Sequence, residues 1–330
     1  MSTMILAGDL GGTKTLLGLF EHPSDPGASR PRPIVVKGFS TPAFPDLTSM
    51  ISEFADDALT CGHSVSSACF GVAGPVMGRT AALTNVPFTI DAGAVARIFS
   101  VPRVRLLNDL VAMAWSLRVL QKDELVVLQE GIARPDGHLA LMAAGTGFNE
   151  ALVLQDGGRF IPTAAESGHS DWAPRNEREI AVLRDLIERV GRAEVEGVLS
   201  GPGLVNIHRV VHTSGCVAID DQSDPDAPMK ISQAALAQQC RGCIDTMQLF
   251  VDACGAEAGN LALRTMATGG VFLGGGIAPK ILPLLTDGRF MRAFLDKGRF
   301  RDLLTRVPVR VILNPQAGLL GAAVAAADCA

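Results

Sequence analysis

The run Ala7-Gly8-Asp9-Leu10-Gly11-Gly12-Thr13-Lys14-Thr15 lies between two apolar stretches, Met4-Ile5-Leu6 before it and Leu16-Leu17-Gly18-Leu19-Phe20 after it. Each flank is about one strand long, so the glycines fall where a strand–turn–strand hairpin bends. Gly11 and Gly12 carry no Cβ, admit positive φ, and let a phosphate lie close against main-chain N–H groups. Thr13 and Thr15 add hydroxyl donors. Asp9 is repelled by such an anion unless a cation such as Mg2+ lies between the two charges. The plain alternative is an ordinary glycine hairpin, and other parts of the chain have to decide.

Two better-known phosphate loops are excluded. Gly8 to Thr15 departs from the P-loop at Thr13, where that loop needs Gly, and a strand-like run rather than a helix follows. No G-x-G-x-x-G occurs, so the dinucleotide fingerprint is absent.

At 330 residues and 48% hydrophobic, the chain has material for two domains with substantial cores. A formal net charge of −5 with no long basic run argues against nucleic acid and anionic membrane as partners. No apolar run reaches membrane-spanning length, and Met1-Ser2-Thr3 leads straight into a strand without the parts of a signal peptide, so a cytoplasmic location is expected. Seven scattered cysteines fit reduced thiols rather than a disulfide framework. The close pair Cys240 and Cys243 has no second pair at metal-ligand spacing, and reads as two packed thiols in a helix. His208 and His212 are four apart, but Arg209 stands where a zincin needs Glu, so they read as one helix face.

Along the chain, strands and helices alternate in the manner of an α/β layer arrangement. Ile34 to Phe39 is strand-like, Asp46 to Leu59 is an amphipathic helix, and Ser66 to Ala73 is a strand ending in Gly74-Pro75. Val104-Arg105-Leu106-Leu107 ends abruptly in Asn108-Asp109, and an almost wholly apolar helix follows. Asp109 thus sits at a strand-to-helix junction, where its plain role is an N-cap. The functional alternative is a candidate base, because ligands bind at the ends of strands in such sheets.

His138 to Glu150 repeats the opening pattern: Leu139 to Ala144 meets Gly145-Thr146-Gly147, and Ala151 to Leu154 follows. Two strand–Gly-Thr–strand units in one chain read as two halves of a phosphate clamp. Glu166-Ser167-Gly168-His169-Ser170-Asp171 gathers polar side chains around a Gly and suits a sugar, whose hydroxyls both donate and accept. Thr213 to Met229 is polar, with Asp220, Asp221, Asp224 and Asp226 but no EF-hand spacing, and reads as a solvated loop. Ile231 to Thr268 has a helical pattern, and Gly269 to Leu273 is a strand delivered into Gly274-Gly275-Gly276, a bend against which a flat ligand or phosphate can lie. Val309 to Leu313 is a last strand and Ala317 to Ala327 a small-residue helix.

Taken in order, Gly8-Asp9-Leu10-Gly11-Gly12-Thr13, Leu107-Asn108-Asp109, Gly145-Thr146-Gly147, Glu166-Ser167-Gly168-His169, Glu196, Leu199-Ser200-Gly201-Pro202-Gly203-Leu204-Val205-Asn206, Gly274-Gly275-Gly276 and Gly318-Leu319-Leu320-Gly321 resemble the motifs of bacterial-type glucokinases over almost the whole chain. The resemblance implies a two-domain, actin-like ATPase (ribonuclease H-like) sugar kinase fold with an interdomain cleft. It divides the chain into a small α/β domain, 1–109 plus 314–330, and a large one, 110–313.

The same resemblance implies ATP-dependent phosphorylation of glucose. Asp109 looks like the general base, and Asn108, Asp109, Glu166, His169 and Glu196 look like the sugar-holding set. Gly8, Asp9, Leu10, Gly11, Gly12, Thr13, Gly145 and Thr146 would grip phosphates, Gly274, Gly275 and Gly276 would lie under the adenosine, and Asp9 would help place Mg2+ through water. A homodimer is also implied.

Three positions depart from the family pattern: Lys14 for a usual Asn, Phe148-Asn149-Glu150 for a Leu-Gly followed by apolar residues, and Ser167 for a usual Gly. The family's relatives with a zinc-type Cys cluster have no match here, so no structural metal is expected. Two alternatives stay open, a kinase for another hexose or an anhydro-sugar and a non-catalytic sugar sensor. Sensors of this fold usually carry a DNA-binding helical domain ahead of the first strand, where this sequence has only three residues before Met4.

Overall fold

Strands β1 (Thr3–Leu10) and β2 (Lys14–Glu21) form the antiparallel hairpin that the glycine run implied, closed by Gly11 N–H donating to the Lys14 carbonyl at 3.1 Å. The turn is propped from beneath: Thr41 Oγ1 donates to the Gly11 carbonyl at 2.7 Å and meets Thr15 Oγ1 at 2.9 Å. Thr15 is therefore buried inside the sheet rather than offered to a ligand, a correction to its expected donor role. Gly11 and Gly12 are likewise not among the residues at positive φ. What Gly11 provides is closeness, since a Cβ there would lie 3.0 Å from the Lys14 carbonyl oxygen.

The computed structural model describes residues 3–23, 29–58, 64–83, 86–212, 215–216, 218–219, 221 and 223–328. It divides into two units, Met1–Lys122 with Asn314–Ala330, and Asp123–Leu313. The expected division at 109/110 thus moves to 122/123. The physical reason is that the apolar helix α3 (Asp109–Ser116) packs in the first unit on α11 (Ala317–Asp328). Gly321 makes that crossing possible, because a Cβ there would sit 1.7 Å from the Ala112 carbonyl oxygen.

The first unit continues with β3 (Arg32–Ser40), α1 (Leu47–Ala58) and β4 (Ser64–Val72). A small sheet of β5 (Val76–Met77), β6 (Thr80–Ala82) and β7 (Thr89–Asp91) precedes α2 (Ala92–Ile98) and β8 (Arg103–Asn108). Its main sheet has the order β3-β2-β1-β4-β8, antiparallel on the β3 side of β1 and parallel on the other. Apolar faces of α1 and the sheet close the core through Met50, Ile51, Phe54 and Phe70. Leu59, the expected end of α1, lies outside the described residues.

The second unit contains β9 (Leu125–Gln129), β10 (Leu139–Ala144), β11 (Phe148–Asp156) and β12 (Arg159–Ala164). Helices α4 (Glu177–Val190), α5 (Gly201–Val211), α6 (Ala227–Leu236) and α7 (Arg241–Thr265) lead to β13 (Gly270–Gly274). Short helices α8 (Leu282–Leu285), α9 (Arg289–Leu295) and α10 (Arg301–Leu304) lead to β14 (Val309–Ile312). The sheet order is β12-β11-β10-β13-β14-β9, and its first five strands repeat the antiparallel–antiparallel–parallel–parallel sequence of the first unit. The glycine hairpins β1-β2 and β10-β11 occupy the same place in each.

The single helical run expected over 231–268 is broken at Ala237–Cys240, where Gln238 takes φ +57°. Of the expected loop at 213–229, Thr213, Ser214, Val217, Asp220 and Gln222 lie outside the described residues. The break and the loop bring together residues that looked unrelated in sequence: His212 Nε2 lies 3.1 Å from Cys240 Sγ, and Cys216 Sγ lies 3.6 Å from Cys243 Sγ. Cys240 and Cys243 are accordingly not merely two thiols packed in a helix, nor are His208 and His212 only a helix face.

Candidate active site

In the first unit, β1, β4 and β8 run parallel, so their carboxyl ends deliver the glycine hairpin, the Ala73-Gly74 bend and Asn108-Asp109 to one edge of the sheet. Such edges are where α/β sheets bind ligands. The helix α3 is capped by Asn108, not Asp109: Asn108 Oδ1 accepts from Leu110 N–H at 3.0 Å and Val111 N–H at 3.4 Å. Asp109 is the first helical residue, with its Oδ1 2.8 Å from Leu110 N. Gly71 admits it closely, since a Cβ at that position would meet Ala112 Cβ at 2.7 Å and Asp109 Cα at 3.5 Å.

Asp9 faces the first turn of α11, where a Cβ on Gly318 would lie 2.7 Å from its Oδ2. Burial, and secondarily the negative charge of Asp109, push the Asp9 carboxyl up from 3.8 to about 6. Two carboxylates felt by one another in a partly dehydrated spot fit a divalent cation, which would relieve both effects.

In the second unit the hairpin turn Gly145-Thr146-Gly147 stands beside Gly274-Gly275-Gly276, since Ala143 of β10 pairs with Gly274 of β13. Gly275 needs its lack of a side chain: φ is +82°, and a Cβ would meet the Ala144 carbonyl oxygen at 2.4 Å. Around Gly145 and Gly276 the space is open. The amino end of α5 braces this turn, Gly201 N–H donating to the Gly145 carbonyl at 2.8 Å, with Ser200 as the cap of that helix.

Glu166, His169 and Glu196 come from neighbouring segments of the same unit. Residues Ser167–His169 form a 3-10 turn directly after Glu166, and Glu196 N–H donates to the Gly168 carbonyl at 2.8 Å. Glu196 Oε2 accepts from Phe148 N–H at 2.7 Å, and ligand atoms of His169, Glu194 and Glu196 all lie within 4.8 Å of one another.

Two residues of this loop were not singled out as site residues from the sequence. Glu194 lies 3.3 Å from His169 Nδ1 and orients that ring. Asn149, noticed only as a departure, fixes the loop: its Nδ2 donates to Glu166 Oε2 at 2.9 Å, and its Oδ1 accepts from Ser167 N–H at 3.0 Å. The adjoining Glu150 points the other way into the core, beside Glu257, where Arg264 holds both carboxylates. Burial first, then the Glu257 charge, raise Glu150 to about 7. The Phe148-Asn149-Glu150 departure is thus one residue of loop support followed by one of a buried charge network. Asn149→Ala removes both of these bonds and will lower the stability of the fold by about 1 kcal/mol. Urea unfolding of the two proteins measures it.

The sequence profile of the glucokinase family matches residues 6–329. A glucokinase from Nostoc sp. is 39% identical over 98% of this chain and 99% of its own length, and one from Yersinia pestis is 33% identical over 98% and 96%. The crystal structure of a glucokinase from an Antarctic psychrotroph superposes with a TM-score of 0.86 at 27% identity, covering 98% of each chain. The fold is that of the two-domain, actin-like ATPase sugar kinases. Within that class, the chain belongs to the glucokinase family.

Proposed function

We propose that this chain phosphorylates glucose from ATP to give glucose 6-phosphate, with Asp109 as general base. The observation that carries the base assignment is the division of labour at the β8–α3 junction. Asn108 takes the cap, which places the Asp109 carboxyl in the field of Asp9 at the edge where the glycine hairpin lies. Asp109 accepts the proton of the sixth-carbon hydroxyl as that oxygen attacks the γ-phosphate, a contribution of roughly 10²–10⁴-fold. Positioning and electrostatic stabilisation supply most of the rest in phosphoryl transfer.

Gly8 to Thr13 and Gly145-Thr146 hold phosphates through main-chain N–H groups, and Gly274 to Gly276 lie under the adenosine. Asn108, Glu166, His169 and Glu196 pair with sugar hydroxyls. A missing or inverted hydroxyl leaves groups that the bound sugar covers unpaired, which for a well-built site discriminates by about 10⁴ or more. Mg2+, for which Asp9 is the proposed carboxylate through water, supplies charge neutralisation on the triphosphate when bound. No helix among the described residues is long and apolar enough to cross a membrane, which fits the cytoplasmic setting proposed for this reaction.

A coupled ADP assay over a panel of hexoses and anhydro-sugars tests the substrate: glucose is expected to give the highest kcat/KM. A larger value for another sugar would reassign the substrate, and no sugar-dependent turnover would remove the kinase reading.

Asp9 also sets a stability prediction. Its carboxyl is raised in the folded state, so folding favours the protonated form, and the penalty is absent below about pH 3.8 and complete above about pH 6. In metal-free buffer, Asp9→Asn will therefore stabilise the fold near pH 7.5, by on the order of 1–3 kcal/mol, and bring little gain near pH 4. Urea unfolding of both proteins at the two pH values measures the difference.

A further inference from the structure

We propose that Cys216, Cys240, Cys243 and His212, none of which has a role in phosphoryl transfer, form a tetrahedral zinc site in the second unit. Cys240 and Cys243 enter α7, His212 ends α5, and Cys216 follows it in the connection to α6.

The geometry is close to that of a bound site. Zinc held by sulfur at about 2.3 Å and nitrogen at about 2.0–2.1 Å sets tetrahedral edges of about 3.7 Å between sulfurs and about 3.5 Å between sulfur and nitrogen. Here Cys216 Sγ lies 3.6 Å from Cys243 Sγ and 3.9 Å from Cys240 Sγ, and His212 Nε2 lies 3.1 Å from Cys240 Sγ. The three sulfurs all fall within 4.8 Å of one another.

Independent features point the same way. Gly242, inside the Cys-x-x-Cys turn, leaves the space that the imidazole fills, for a Cβ there would lie 1.9 Å from His212 Cδ2. Ala218 N–H donates to Cys216 Sγ at 3.4 Å, a contact that favours a thiolate.

On binding, the three thiols lose their protons to solvent, three S–Zn bonds and one N–Zn bond form, and nothing is oxidised or reduced. The ion ties the end of α5 to the start of α7 across the intervening loop and α6. Because the other end of α5 braces the Gly145 turn, the site anchors a helix that supports the phosphate-binding edge. A soft donor set of three thiolates and one imidazole selects zinc over Mg2+.

The test uses the full chain, purified in reductant, stripped with chelator and titrated with Zn2+ or Co2+. The proposal expects about one zinc per chain by elemental analysis, and for Co2+ the thiolate charge-transfer and intense visible bands of tetrahedral sulfur coordination. Cys216→Ser, in a loop rather than the core, should lose the charge-transfer intensity in part and weaken zinc at least 10-fold. His212→Gln should weaken zinc comparably while Cys69→Ala, in the other unit, binds as the parent does. Thermal unfolding of the parent should move to higher temperature with Zn2+, and that of Cys216→Ser should not. Absence of stoichiometric zinc in the folded parent, equal binding by Cys216→Ser, or a disulfide joining Cys216 to Cys240 or Cys243 in the protein isolated without reductant would each overturn it.

Discussion

Asp109→Asn should lower kcat by roughly 10²–10⁴-fold while leaving the glucose KM within a few-fold of the parent. The substitution is nearly isosteric, and an amide oxygen still faces Leu110 N–H, so α3 keeps its first turn under the Asn108 cap. What disappears is the proton acceptor. A second effect follows from electrostatics: the Asp109 charge is one cause of the raised Asp9 carboxyl, so removing it lets Asp9 ionise at lower pH. Steady-state kinetics beside a thermal unfolding scan separate loss of chemistry from loss of fold. Turnover within 10-fold of the parent would assign the base elsewhere.

Gly168→Ala should raise the glucose KM by about 10- to 100-fold, from roughly 1–3 kcal/mol of forced displacement. The added Cβ would stand 2.1 Å from the Phe148 carbonyl oxygen, a main-chain atom with no rotamer to yield. Gly168 also accepts from Glu196 N–H at 2.8 Å, and its turn carries Glu166 and His169, so one methyl group disturbs three proposed sugar ligands together. By contrast, at Gly145 a Cβ meets nothing within 4 Å, and Gly145→Ala should leave the glucose KM nearly unchanged. Calorimetric or kinetic titration of glucose against both variants measures the difference.

Much of the fold was legible because its signals are local. The glycine hairpins announce themselves by turn chemistry between apolar runs, and α1 by its periodicity. The repeated β-β-β order of the two sheets could be suspected from the two Gly-Thr bends, but sheet order itself is set by long-range pairing that spacing does not encode. That is also why the division after Lys122 was missed: the partner of α3 is α11, more than two hundred residues later.

The site divides in the same way. Residue types and family likeness brought forward Asp9, Asn108, Asp109, Glu166, His169 and Glu196. The roles of Asn108 as cap and of Thr15 as a buried prop depended on side-chain geometry within a turn. Asn149 was visible only as an oddity until its two hydrogen bonds to the Glu166 loop were seen. The cysteine cluster was hidden for a plainer reason, since its ligands come from a helix end, a loop and a broken helix that only the tertiary fold brings together.

The most direct test is 31P and 1H NMR of the product formed from glucose and MgATP. The account predicts one ADP per sugar consumed and a phosphomonoester coupled to the sixth-carbon protons. ADP release that does not depend on glucose, or phosphate on any other carbon, would contradict it.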